Sequence, residues 1–76
     1  MRKKYVKVLT EINEEGVKTP KIIVYNDIKY EIDKVIDIKN RPSMKVGGIG
    51  EKYSSRIGNN ITSIFFENGR WFVEEK

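Results

Sequence analysis

Ile61-Thr62-Ser63-Ile64-Phe65-Phe66-Glu67-Asn68-Gly69-Arg70-Trp71-Phe72-Val73 is the stretch whose reading decides the fold. Asn68-Gly69 is the strongest short-range hairpin signal, because a type I′ turn needs positive φ at both central residues and these two accept it. With this pair as the loop, Glu67 faces Arg70, Phe66 faces Trp71, Phe65 faces Phe72 and Ile64 faces Val73. Side chains alternate along a strand, so Ile64, Phe66, Trp71 and Val73 share one face and are expected in the core. Phe65 and Phe72 fall on the opposite face, beside a Glu67/Arg70 ion pair.

The same alternation extends toward the N-terminus. Tyr5 to Ile12 puts Val6, Val8, Thr10 and Ile12 against Tyr5, Lys7 and Glu11, and Asn13-Glu14-Glu15-Gly16 turns the chain. Lys18 to Tyr25 is a second run with Pro20 near its start, and Asn26-Asp27 fits a tight hairpin turn. Ile28 to Ile38 alternates until Lys34 arrives where an apolar residue is due, which predicts a bulge or bend near Asp33-Lys34 in one long strand. Lys39 to Gly50, with Asn40, Pro42, Ser43 and Gly47-Gly48, reads as a long loop. Glu51 to Ile57 and Ile61 to Glu67 are two further strands around Gly58-Asn59-Asn60. Isoleucine and valine dominate, Leu9 is the only leucine and alanine is absent, a composition suited to strands.

Seventy-six residues make one domain, 1–76, with a thin stability margin. The expected fold is all-β: a small antiparallel meander of five or six strands rolled into an SH3-like or OB-like barrel, with Tyr30, Ile32, Val35, Ile57, Ile64, Phe66, Trp71 and Val73 in its core. Cysteine and histidine are both absent, which removes disulfides, thiolate zinc sites and the commonest general base and metal ligand. No enzyme, cofactor or metal site is therefore expected. The basic start, Met1-Arg2-Lys3-Lys4, lacks the apolar run of a signal peptide after it, and no stretch is long and apolar enough to span a bilayer. The chain is expected to be cytoplasmic, with no membrane partner.

Charge is unevenly placed. Val8 to Ile38 is net acidic, whereas Lys39, Arg41, Lys45, Lys52 and Arg56 make the middle of the chain basic. Presented together, these five would track a phosphate backbone with an affinity that falls as salt rises; dispersed, they form a solvated surface that keeps a domain of net charge +4 soluble. Phe65 and Phe72 would offer stacking for bases if exposed, whereas a closing sheet or the loop folded over them would make a second small hydrophobic cluster. Nucleic acid is thus the expected partner, with a protein partner recruited through the same aromatic pair or an edge strand as the alternative.

Three other motifs carry less. Val46-Gly47-Gly48-Ile49-Gly50 matches neither glycine-rich phosphate-loop pattern, and its glycines suit a wide loop. Asp33 and Asp37 lie about 13 Å apart on an extended strand, too far for a carboxylate pair or a metal site unless the expected bend folds them together. Ser54, Ser55 and Ser63 have no histidine to activate them.

Lys29-Tyr30-Glu31-Ile32-Asp33-Lys34-Val35-Ile36-Asp37, Ser43-Met44-Lys45-Val46-Gly47-Gly48-Ile49-Gly50, Tyr53 with Ser55-Arg56-Ile57, and Phe65 through Glu74 resemble a family of short bacterial all-β proteins of uncharacterised function. The resemblance covers nearly the whole chain. It implies a tyrosine-led strand, a glycine loop and an aromatic closing hairpin, and it implies no activity, cofactor or catalytic residue. The chain departs from it at the second turn, where Asn26-Asp27 is followed directly by Ile28 rather than by a glycine.

Overall fold

Tight turns divide the chain where its Asn, Asp and Gly residues allow. The computed structural model describes residues 2–42 and 49–75, and every regular element among them is a strand. In chain order these are β1 (Arg2–Ile12), β2 (Lys18–Tyr25), β3 (Ile28–Glu31), β4 (Lys34–Pro42), β5 (Ile49–Ile57), β6 (Asn60–Glu67) and β7 (Arg70–Glu75). Asn26 and Asp27 have φ of 50° and 64°, and Asn68 and Gly69 have 53° and 77°, so both loops carry the double positive φ of a type I′ turn. The turn after Tyr25 needs no glycine because Asn and Asp tolerate this conformation. The first turn is held differently: Asn13 Oδ1 accepts from the amides of Glu15 and Val17, each at 2.9 Å.

The strands form one antiparallel sheet in the order β3-β2-β1-β7-β6-β5-β4, two meanders joined through β1 and β7. Two chain segments curl it into a half-barrel. Arg2 to Val6 of β1 pair with β7, whereas Lys7 to Ile12 pair with β2. The second segment is β3–β4, of which β3 pairs with β2 and β4 with β5. At its corner the Ile32 amide donates to the Lys21 carbonyl at 2.8 Å, and the next amide, Asp33, donates to the Arg56 carbonyl at 2.9 Å. Asp33 Oδ2 also accepts from Gly58 N at 3.0 Å, which pins the corner to the β5–β6 turn.

The expected bend therefore exists, one residue earlier than anticipated. It divides the third run into two elements, so seven strands stand where five or six were expected. A separate irregularity follows: Val35 pairs with Ser55 and Asp37 with Ser54, leaving Ile36 as an extra residue on β4. The expected loop from Lys39 is also corrected. Lys39 to Pro42 continue β4, and Ile49 and Gly50 begin β5, because Arg41 pairs with Gly50 and Pro42 with Ile49 across that ladder. The remainder of that loop, including Gly47 and Gly48, lies outside the described residues.

The core forms on the inner face, where Ile23, Ile32, Tyr53, Ile64, Trp71 and Val73 pack with Val6, Val8, Tyr25, Val35, Ile57 and Phe66 around them. Trp71 lies 4.8 Å from Phe66 and 5.1 Å from Tyr53, ring centre to ring centre, in tilted arrangements. Tyr30, expected inside, is 37% exposed, because the four-residue β3 is the last strand at its end of the sheet. Thr10 and Ile12 are likewise exposed. Beyond Leu9 the pairing shifts by one, with Lys21 as the extra residue on β2, and the β1–β2 hairpin runs out past the core. No helix among the described residues is long and apolar enough to cross a membrane.

The two faces of β6 supply a test. Ile64 is fully buried and Ile61 is exposed. Ile64→Ala is expected to cost about 2–5 kcal/mol, a large part of the margin of so small a domain, and Ile61→Ala to stay within about 0.5 kcal/mol, both read by chemical denaturation.

Candidate functional site

The basic residues of the middle of the chain meet on the ladder between β4 and β5. Lys39 lies directly opposite Lys52, and Lys34 directly opposite Arg56. The extra residue at Ile36 makes this possible: without it Lys34 and Lys39, five positions apart, would point to opposite faces. Both pairs instead occupy the face turned away from the core, four residues or roughly 13 Å apart along β5. Like charges directly opposite on a ladder destabilise it. Lys39 is eased by Asp37, whose carboxylate stands 3.8 Å away in the open. Among the described residues, Lys34, Lys52 and Arg56 have no carboxylate partner.

Lys52 is also the first step of a row crossing the sheet, through Phe65 on β6 and Phe72 on β7 to Tyr5 on β1. The expected pairing of the final hairpin is present at Glu67/Arg70, Phe66/Trp71 and Phe65/Phe72. The expected exposure of its outward rings is not: Phe65 is 4% exposed and Phe72 2%. The two rings stack on each other at 5.1 Å and 13°, with Tyr5 edge-on to Phe72 at 5.8 Å. Lys3 lies over Phe72 at 4.6 Å and is tied to Glu67 by an ion pair of 3.0 Å. The expected Glu67/Arg70 ion pair is not formed: Glu67 pairs with Lys3, and the Arg70 guanidinium sits 3.5 Å from the centre of the Tyr5 ring. The rings are a second hydrophobic cluster and offer no free face to a base.

The other expected contacts divide. Arg41 is on β4 opposite Gly50, but its side chain lies outside the described residues, as does Lys45 altogether. Gly50 is a strand residue, not a phosphate loop: a Cβ there would stand 3.3 Å from the Phe66 carbonyl and from Glu67 Oε2. Ser55 is fully buried, and its hydroxyl has no hydrogen-bond partner among the described residues, a placement for packing and not for attack on a substrate.

Two features of the inner side escaped the sequence. At one end Lys18 crosses from β2 to lie 3.6 Å over Phe66, with an ion pair of 3.3 Å to Glu51, and the Tyr53 hydroxyl donates to the same carboxylate oxygen at 3.2 Å. Burial, and next to it the Glu51 charge, pushes the Tyr53 pKa up to about 12. At the other end a cleft of about 330 Å³ opens between Ile23, Tyr25, Tyr30, Ile57 and Val73, with Glu75 at its rim. Tyr25 donates to Glu75, and that hydrogen bond, more than burial, raises the Tyr25 pKa. Alternation marks apolar faces but not which distant polar ends will meet across a curled sheet.

Comparison with protein-family models, with curated proteins and with solved structures finds no match to this chain. The chemistry of the site thus stands on its own residues.

Tyr53 makes the alkaline limb of stability predictable. A tyrosine whose folded pKa lies above its unfolded value of 10.0 binds its proton more tightly when folded. The stability this lends is complete below pH 10 and is lost as pH rises toward 12. Urea melts are expected to weaken more steeply over that interval for the parent chain than for Tyr53→Phe, and equal slopes would contradict the assignment.

Proposed function

We propose that this chain is a small binding module, a barrel of SH3-like or OB-like kind, that holds nucleic acid by its phosphates on the outer face of β4 and β5. The observation that carries this reading is the placement of like charges opposite each other, Lys39 with Lys52 and Lys34 with Arg56, on one face of one ladder. Each opposed pair costs the free protein a few tenths of a kcal/mol up to about 1 kcal/mol, and a row of phosphates would convert that cost into attraction. Net charge of +4 favours the same partner at longer range.

Burial of Phe65 and Phe72 shapes the mode of binding. With no base stacked on that pair, recognition rests on the phosphate backbone, which is sequence-tolerant and strongly dependent on salt. Lys34, Lys39, Lys52 and Arg56 together give a slope of about −3 in log affinity against log salt for a single strand, or about 50-fold weaker binding on a fourfold rise in salt.

Fluorescence anisotropy with a labelled oligonucleotide at two salt concentrations measures this directly. Lys52→Gln/Arg56→Gln is expected to bind more weakly and with a shallower salt slope, while the free variant melts at a higher temperature than the parent because both repulsions are relieved. Absence of binding by the parent chain at low salt would end the proposal, as would a double variant that binds as tightly as the parent.

A further inference from the structure

We propose that β4 is a self-association edge, pairing antiparallel with β4 of a second copy of this chain about a two-fold axis at Ile38. The two ends of the sheet differ sharply. β3 is four residues long, the short kind of edge that resists pairing, whereas β4 runs for nine residues and, among the described residues, has only β5 beside it. Among its charged side chains it also carries apolar surface: Ile36 is 48% and Ile38 47% exposed. Ile38 stands opposite the buried Tyr53, so the apolar inner face of the sheet continues to β4, where Ile38 is half-exposed.

Charge selects the occupant and the register. A two-fold axis perpendicular to the sheet leaves each side chain on its own face, so it must pass through a residue of β4. At Asp37 it would set two carboxylates against each other, and at Lys39 two ammonium groups. At Ile38 it sets Asp37 opposite Lys39 of the second copy, twice by symmetry, and brings the two Ile38 side chains together between the two Tyr53 rings. Asp37 and Lys39 are already 3.8 Å apart within one copy and both well exposed, so exchanging partners between copies requires little rearrangement. The extra residue at Ile36 and Pro42 bound the regular stretch on either side, so the ladder is short and the association is expected to depend on concentration.

This pairing does not depend on nucleic acid, and its test is made without any. Sedimentation of the chain alone up to about 1 mM is expected to show a monomer–dimer equilibrium, a range suited to weak association. Asp37→Lys, at an exposed position, should fold as the parent does by circular dichroism and sediment as a monomer, because it places like charges opposite each other at both symmetric contacts. Adding Lys39→Asp to it restores the opposite charges and should restore the dimer. A parent chain that stays monomeric throughout, a single variant that associates like the parent, or a charge exchange that fails to rescue association would each overturn the proposal. Oligonucleotide binding by a monomeric parent would overturn this inference while leaving the phosphate-binding reading intact.

Discussion

The amides of Ile32 and Asp33 are neighbours in the chain, yet they donate to carbonyls on strands near opposite ends of the sheet order. These two hydrogen bonds tie β2 to β5 through one corner and oblige seven strands to curl. Lys21, the residue the β1–β2 ladder leaves over, supplies one of the acceptors, so the irregularity in one hairpin serves the closure of the whole. Without the corner, a chain with no cysteine and no histidine would present two flat meanders, each with an apolar face and too little to cover it.

Curling assigns the roles of the two faces. Inside, Trp71 receives Phe66, Tyr53 and, through Lys18, a cation from the opposite wall, 5.9 Å from its ring. Outside, the chain sets cations opposite one another across the β4–β5 ladder, directly beside a stacked pair of phenylalanines closed over by Lys3 and Glu67. The buried stack lies on β6 and β7, next to β5, which carries Lys52 and Arg56.

Much of this was legible in the sequence because it depends on short-range chemistry. Asn68-Gly69 determines its own turn, and with it the register of β6 and β7. The misplaced Lys34 announced a break in alternation before any strand was paired. What sequence could not supply was closure. Alternation places Phe65 and Phe72 on the face opposite Trp71, but only the arrival of Tyr5, Lys3 and Glu67 from β1 and β6 determines that this face is covered too. Tyr30 fails for the complementary reason: its alternation is regular, but its strand ends the sheet and nothing lies beyond it. Pairing also overrode composition at Lys39 to Pro42, where turn-forming residues continue a strand because β5 offers them partners.

Native-state amide hydrogen exchange at the corner tests the account most directly. If the paired amides of Ile32 and Asp33 close the sheet, both should exchange only through global unfolding, with protection equal to that of the central strands β6 and β7. Rapid exchange at these two amides in a chain whose β6 and β7 amides remain protected would show that the sheet folds without its corner, and would contradict the account.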